Sequence, residues 1–142
     1  MYIPKYFQMK DEQEMFHFME QHSFATIVSH SSNGFVASHL PLKLNREERV
    51  LYGHFAKANS QWKELDGQQV LVIFHGPHSY ISSSWYETKD AVPTWNYTAV
   101  HVNGTLQLLQ DEALIDECLR DLIKKYEAPD STYRYEEVDE KY

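Results

Sequence analysis

Two segments of the sequence combine rings, amides and hydroxyls closely enough to hold a ligand. The first extends from Gly53 to Trp62, where the chain passes from a series of strand-forming residues into a polar turn. Its turn can present Lys57, Asn59 and backbone N–H groups to an anion, while His54 and Trp62 flank a flat group. A strand end with Trp62 in the core and Asn59 capping a helix explains the same residues without a ligand. The segment indicates a binding site but does not name what is bound.

The second segment covers residues 76–86 and is followed closely by residues 92–97. It concentrates three adjacent hydroxyls, Ser82, Ser83 and Ser84, among several aromatic rings. This exceeds what a plain hairpin requires. A surface hairpin with an aromatic plug is the alternative interpretation, and the residues alone do not separate the two.

A metal site is a further hypothesis, because His75 and His78 stand three apart and other histidines occur at 39, 54 and 101. Histidines in strands and turns more often bond to their neighbours, and no helical His-Glu-x-x-His motif occurs. Gly-x-Ser-x-Gly and phosphate-binding glycine motifs are absent from the sequence as well. Cys118 has apolar neighbours on its predicted helix face and is interpreted as core packing. The sequence therefore predicts no metal and no catalytic residue.

Composition and charge narrow the class of protein. The chain has 142 residues, 42% of them hydrophobic, which favours one folded domain. Its net charge of −8 repels nucleic-acid phosphates and anionic lipids, and the basic residues form no run. Direct DNA binding is thus not favoured. A single cysteine permits no intrachain disulfide, and neither a signal peptide nor a membrane span is visible, so we expect a cytoplasmic protein.

The elements that must position these residues are mostly short strands. An apolar run at 70–74 between glycines predicts a central strand buried on both faces. Gly104 is expected to mark a bulge, Pro41 to end or edge its strand, and residues 85–95 to form a loop. The other predicted strands cover residues 24–29, 35–40, 42–44, 50–55, 79–82 and 98–108, with a polar helix or turn at 58–65.

Two helices are predicted beside the strands. Asp11 begins one over residues 11–21, and Asp111 begins a second that ends near Lys125. Residues 127–142 are acidic and show no period. Many short strands with two helices favour an antiparallel barrel or sandwich, with a closed or partly closed barrel as the first choice.

Several motifs in order resemble the PaiB family over residues 1 to about 126. The resemblance is specific because the motifs are long. They are Met1–Phe7, Ser38–Leu42, Gly53–Trp62, Gly76–Tyr86, Val92–Tyr97 and Ala99–Val102.

The resemblance implies a mainly β (α+β) fold, an FMN-binding split β-barrel with antiparallel, Greek-key-like strands and flanking helices. Such barrels are related to pyridoxamine-phosphate oxidase and flavin-reductase-like proteins. The resemblance also implies a homodimer with ligand sites at the subunit interface. It places the flavin-binding domain at 1–126 and leaves 127–142 as a tail truncated before a final strand.

The resemblance implies a possible FMN site on segments 38–42 and 53–62. His39, His54, Lys57 and Asn59 would serve its polar end. The ring system would lie against Leu40, Pro41 and Ala56, and residues 76–86 would close the site or cross the dimer interface. The full set of predicted cofactor-binding residues is Ser38, His39, Leu40, Pro41, His54, Ala56, Lys57, Asn59, Trp62, His78 and Ser83.

Three functions remain open at this point. The first, implied by the resemblance, is a flavin-binding transcriptional regulator that represses sporulation and degradative-protease synthesis through its ligand or through partners. The second is an FMN-dependent oxidoreductase, in which the flavin carries the electrons and the protein orients it. The third is a ligand-free barrel that serves as a dimeric binding module.

Overall fold

The computed structural model describes residues 1–138 and divides into two compact units after Leu108. Among these described residues, the first unit contains one α-helix and six strands, and the second contains one α-helix. Within the described residues, no helix combines the length and the apolar character that crossing a bilayer requires.

Helix α1, Glu12–Gln21, begins where the sequence predicts. The Asp11 carboxylate accepts a 2.8 Å hydrogen bond from the Gln13 backbone N–H and caps the first turn. Phe16 and Met19 lie three positions apart on the same side and are both buried. The helix thus adds one apolar face to the core.

Four strands form an antiparallel sheet in the order β2-β1-β5-β6. They are β1 (Phe24–Ser31), β2 (Gly34–Pro41), β5 (Gln69–Ile81) and β6 (Thr94–Thr105). Strands β3 (Lys43–Asn45) and β4 (Val50–Tyr52) pair separately as a two-stranded sheet.

The β1–β2 hairpin is confirmed, and its turn is stabilised by interactions among residues 31–34. Gly34 takes a φ of 113°, which glycine adopts without strain. The Ser31 hydroxyl donates to the Gly34 carbonyl at 3.0 Å and accepts from the Asn33 N–H at 3.2 Å. Pro41, which has no N–H to give, ends the edge strand β2 opposite Phe24, as predicted.

Strand β5 departs from the prediction at its midpoint. It is central in the sheet, as expected, but it continues through Gly76 and Pro77 to Ile81 instead of ending at residue 74. A register shift between His75 and His78 inserts one extra residue there, so the missing Pro77 N–H breaks no ladder bond. Because β5 extends to Ile81, which pairs with Thr94, its partner β6 begins at Thr94, inside the segment predicted to be a loop.

Two finer predictions about the sheet were wrong. Gly104 stands directly opposite Val70 in register, so the irregularity lies at 75–78 and not at Gly104. Only one face of β5 is fully buried: Val70, Val72 and Phe74 point into the core, while the residues between them are half-buried.

The core lies between α1, the β3–β4 hairpin and the sheet face that carries Val70, Val72 and Phe74. Phe74 and Leu65 are its most deeply buried large side chains. The other buried apolar residues are Phe16, Met19, Ala25, Ile27, Leu42, Val70, Val72 and Val100. The antiparallel, β-rich α+β class is confirmed. Over residues 1–138 the strands form an open sheet and a separate hairpin, and they do not close into a barrel.

The second unit is built on helix α2, Glu112–Tyr126, which the sequence also predicts. The Asp111 carboxylate caps it by accepting from the backbone N–H groups of Ala113 and Leu114 at 3.0 and 3.3 Å. Its last turn carries Lys124 and Lys125, where the helix dipole favours positive charge.

An ion-pair cluster centred on Arg120 joins α2 to the segment of chain that follows it. Arg120 donates to Asp116 and to Glu136, each at 2.7 Å, and its guanidinium lies 4.8 Å from the Tyr135 ring centre. The hydrogen bond from Arg120 lowers the pKa of Asp116. Residues 135–137 form a 3-10 turn, although no regular period was predicted after residue 127. Residues 139–142 of that predicted tail lie outside the described residues.

Candidate functional site

The two predicted flavin-binding segments meet in the structure. We call residues 38–42 and 53–62 together the shelf. The Asn59 side-chain amide donates a 2.8 Å hydrogen bond to the Ser38 hydroxyl. The Asn59 Oδ1 accepts from the Gln61 backbone N–H at 3.0 Å and caps the 3-10 turn Ser60–Glu64. One amide side chain therefore holds the turn and fastens it to β2.

Glycine at position 53 allows the second close contact within the shelf. A Cβ at this position would lie 2.5 Å from Leu42 Cδ2 and 3.4 Å from the Pro41 carbonyl oxygen. Any larger side chain would push the 53–62 segment away from the end of β2.

Trp62 and Lys57 occupy the far end of the turn. The Trp62 indole N–H donates to the Lys57 carbonyl at 3.2 Å, and the half-buried ring packs against the core. The Lys57 side chain itself is exposed. The turn thus fixes the Lys57 backbone and leaves its ammonium facing solvent, where an anion can reach it.

Gln61 is a member of this site that the sequence prediction missed. Its side chain is buried, and Nε2 donates to the Ser29 hydroxyl at 2.9 Å and to the Val36 carbonyl at 3.2 Å. Its Oε1 is buried and has no hydrogen-bond partner among the described residues. A glutamine in a polar turn suggests a solvated side chain, and only the packing of the turn on β1 and β2 reveals it as a buried amide.

His39 does not share a side of the sheet with Ser38. Neighbouring residues of a strand point to opposite faces, and Ser38 faces the turn. His39 is exposed on the other face, where Nδ1 and the Thr26 hydroxyl share a hydrogen bond of 2.9 Å. On one face the shelf therefore brings together Ser38, Leu40 and the turn, while the side chains of His39 and Pro41 point to the opposite face. His54 is half-buried and Ala56 is exposed, both within the turn segment.

The shelf suits the three parts of a flavin nucleotide. Lys57 carries an exposed cation that would suit a phosphate, and the Asn59 amide would have a second N–H, beyond the one donated to Ser38, for a hydroxyl. The Gln61 Oε1 atom in particular is an acceptor that lacks a donor. Leu40 is apolar and half-buried, as the wall of a ring site commonly is. The residues present fit FMN.

A second site lies on the ribbon formed by the far halves of β5 and β6. We call it the ribbon pocket. It is open to solvent, has a volume of about 360 Å³ and is lined by His75, His78, Trp95 and Tyr97. The Trp95 indole N–H donates to His78 Nδ1 at 3.2 Å, and the two ring centres are 5.6 Å apart. The His75 and His78 ring centres are also 5.6 Å apart.

The bulge explains why these rings share one face. Residues three apart in a regular strand point to opposite sides, so His75 and His78 would be separated. Because His75 pairs with Ala99 and His78 with Tyr97, β5 has one more residue than β6 between these pairs. That extra residue restores both histidines to the same face, beside Tyr97 and Trp95.

Two predicted flavin residues, His78 and Ser83, lie away from the shelf. His78 is paired only with β6, beyond the part of β5 that adjoins β1. Two strand spacings separate β5 from β2, which is about 10 Å before any offset along the strands is added. Ser83 begins a 3-10 turn, Ser83–Trp85, still further along the chain.

The histidines of the ribbon do not assemble a metal site. No group of three or more His, Cys, Asp or Glu side chains in residues 1–138 is arranged to hold a metal ion. His101 lies diagonally across from His75 on the paired strands. Burial lowers the pKa of His101, and the charges of the N-terminal amine and His75 lower it further.

Comparison with known proteins identifies the class. Residues 1–142 match the family model described as "Putative FMN-binding domain". Since the match covers the whole chain, the chain belongs to this FMN-binding family.

The relatives are more specific. The chain is 45% identical over 130 residues to "Protease synthase and sporulation protein PAI 2" of Bacillus subtilis, covering 89% of this chain and 62% of that protein. It is 37% identical over 87 residues to an uncharacterised protein of Saccharomyces cerevisiae, covering 56% of this chain and 52% of that protein. The resemblance to the PaiB family is thereby confirmed. The chain spans about three fifths of the Bacillus protein and half of the yeast protein.

Proposed function

We propose that this protein binds FMN on the shelf and acts as a regulatory flavoprotein. The observation that carries the proposal is the joining of the two shelf segments by Asn59 and Ser38 within a chain of the FMN-binding family. The Bacillus relative is named for protease synthesis and sporulation, and we propose control of these processes as the role here.

In this proposal the chain's own residues divide the work of binding. The exposed Lys57 ammonium pairs with the phosphate, because a cation on a turn with a fixed backbone loses little entropy on binding. Asn59 and His54 orient the polar end. Leu40, Ala56 and Trp62 form the wall for the ring system and exclude water from it, and the Pro41 backbone carbonyl lies beside Gly53 at its end. Bound FMN would supply a redox-active ring that could report the state of the cell.

A homodimer would complete the site. His78 and Ser83 lie away from the shelf within one chain, and we propose that a second copy brings residues 76–86 to it. Phe24 and Phe35, on the face of the sheet away from the core, are 67% and 82% exposed. Aromatic side chains this exposed are typical of a surface that a partner covers.

We propose that the protein is a cytoplasmic repressor that acts through its ligand and through partners and does not bind DNA directly. The net charge of −8 supports this, because phosphate contacts supply most of the non-specific affinity for DNA. Salt-sensitive binding of a promoter fragment by the purified protein would contradict it.

The deciding experiment is an absorbance spectrum of the purified protein after FMN is added and the sample is desalted. We expect a retained flavin band with one FMN per chain, and a weaker band when riboflavin replaces FMN. Loss of all flavin on desalting would favour a ligand-free binding module. Oxidation of reduced nicotinamide faster than by free FMN would instead favour the oxidoreductase.

A further inference from the structure

The side of the four-stranded sheet that faces away from the core carries no formally charged side chain. We call every second residue of 24–30, 35–41, 71–75 and 99–101 the outer face, since strand pairing and alternation place these residues on one side. None of them is Asp, Glu, Lys or Arg, although 24% of the chain is charged. A sheet face that meets water is ordinarily polar, so this face has the composition of a covered one.

The outer face is also apolar and large. Phe24 and Phe35 project from it into solvent, with Val28, Leu71 and Ile73 half-buried between the strands. Four strands with up to eight residues each give a flat footprint of roughly 19 Å by 27 Å. The projecting side chains raise its accessible area above this footprint, towards the roughly 800 Å² per partner that a stable interface buries.

A second copy of this chain suits the outer face. Each copy carries a net charge of −8, so two copies repel one another wherever their acidic surfaces meet. The outer face contains no carboxylate, and two such faces can approach without that repulsion. Neutral imidazoles can also pair with one another across a twofold axis, because each ring has one N–H donor and one nitrogen acceptor.

Two histidines of the outer face lie beside its apolar groups. The His39 Nδ1 atom shares a 2.9 Å hydrogen bond with the Thr26 hydroxyl. The His30 ring meets the Phe35 ring edge-on, with ring centres 5.4 Å apart. Both imidazoles are exposed in the single chain and would lose water only when another surface covers them.

His101 is the third histidine to consider, on the adjoining strand β6. It is half-buried, and burial lowers its pKa, which the N-terminal ammonium and His75 lower further. The groups around the three rings are thus neutral or cationic. In the part of the chain that the structure describes, none of the three has a carboxylate partner.

Protonation therefore changes what a second copy meets. A covered imidazolium loses its hydration, and on this face it gains no carboxylate in return. A twofold axis also doubles each charge, because every histidine occurs once in each copy. A covered imidazole then takes up a proton less readily than an exposed one, and association weakens as the pH falls.

We propose that two copies of this chain associate through the outer face while His30, His39 and His101 are neutral, and that protonation of these rings separates the copies. This inference rests on the homodimer of the proposed function. It adds the surface that forms the dimer and the condition under which the dimer dissociates.

Sedimentation equilibrium of the full chain without FMN measures the dissociation constant of the dimer at about pH 8 and about pH 6, on either side of the ordinary pKa of imidazole. We expect the constant to rise at least about tenfold at the lower pH. Charge repulsion alone predicts the opposite result, because the net negative charge falls as the pH approaches the isoelectric point of about 5.4. Circular dichroism at both pH values checks that the chain stays folded.

Variants assign the response to the outer face. His30→Gln, His39→Gln and His101→Gln combined replace the three rings by neutral amides, and this variant should associate equally at both pH values. His30→Gln alone should reduce the response without abolishing it. His17→Gln alters an exposed ring on α1, outside the outer face, and should keep the response of the parent chain.

Ala37→Glu tests the location of the interface. Position 37 is an exposed part of the outer face, and the substitution adds one carboxylate to each copy where the two copies meet. We expect a folded monomer at about pH 8, since like charges brought together across an interface oppose association. A dimer that this variant left intact would place the interface elsewhere and overturn the proposal.

Two further outcomes would overturn the proposal and are distinguishable from one another. Equal dissociation constants of the parent chain at both pH values would exclude the histidine control and leave the homodimer standing. A monomer at both pH values would exclude the homodimer as well. Retention of FMN after desalting at about pH 8 is a separate measurement, so the flavin proposal stands or fails independently of the histidines.

Discussion

The Asn59 side chain donates to the Ser38 hydroxyl over 2.8 Å, joining residues 21 positions apart in the chain. The same amide caps the turn through the Gln61 N–H. The geometry of the shelf therefore depends on a single side chain that bridges local and long-range structure.

Removing that side chain should cost stability. Asn59→Ala loses a capping bond and the bond to Ser38, and we expect the free energy of unfolding to fall by about 1–2 kcal/mol. Urea denaturation followed by circular dichroism measures it. Asn103→Ala, at an exposed position of β6, is the matched control and should change little. Equal losses in the two variants would contradict the bridging role.

Lys57 should distinguish FMN from riboflavin. Because the proposed contact is with the phosphate, Lys57→Gln should weaken FMN about tenfold and leave riboflavin affinity unchanged. Fluorescence quenching of the flavin measures both constants. Lys89→Gln removes the same charge from an exposed loop position and should leave both ligands unaffected. If Lys57→Gln weakened riboflavin as much as FMN, the phosphate assignment would be wrong.

Gly76 of β5 and Gly104 of β6 should respond in opposite ways to alanine. At Gly76 a Cβ would lie 2.5 Å from Thr98 Oγ1 and 2.7 Å from two ring carbons of Phe18 on α1. Gly76→Ala should therefore destabilise the fold by about 1–3 kcal/mol through overpacking. Gly104 has nothing within 4 Å of the same position, and Gly104→Ala should be neutral or slightly stabilising. Thermal unfolding of both variants tests the contrast, and a neutral Gly76→Ala would refute the close packing of α1 against the bulge.

The Arg120 cluster predicts a pH dependence in the second unit. The hydrogen bond from Arg120 lowers the pKa of Asp116, with a smaller contribution from Tyr135 and an opposing one from burial. A carboxyl whose pKa is lower in the folded state stabilises it above its ordinary pKa, and this stability is lost as the pH falls through the folded value. Arg120→Gln should move the pKa of Asp116 back up, as NMR titration of the carboxyl carbon would show. Lys124→Gln, which removes an equal charge from the same helix, should not, and a similar shift in that variant would point to net charge as the cause.

Much of the fold follows from local chemistry that is visible in the sequence. Asp11 and Asp111 mark helix starts because a side-chain oxygen satisfies N–H groups that would otherwise be free. The Asn33–Gly34 pair marks the hairpin because glycine accepts a positive φ there.

The predictions that failed concern tertiary context. Gly76–Pro77 suggests the end of a strand, yet a bulge can accommodate a residue without an N–H, and only the partner strand β6 reveals this. The burial of Gln61 depends on a carbonyl of Val36, 25 positions away, which no local pattern indicates. The flavin role of His39 stays a prediction, and its separation from Ser38 follows from alternation along β2, which the sequence already shows.

The extra residue between His75 and His78 also affects how this protein can change over evolutionary time. The bulge resets which residues face outward, so the outer half of the ribbon keeps its own alternation, independent of the sheet that builds the core. Substitutions at Trp95 or Tyr97 can then change the outer surface of the ribbon without disturbing Val72 or Phe74 in the core. Loss of one residue at 76–77 would instead turn every β5 side chain beyond it to the opposite face of the strand. The residues exposed on the outer ribbon would then change in a single step.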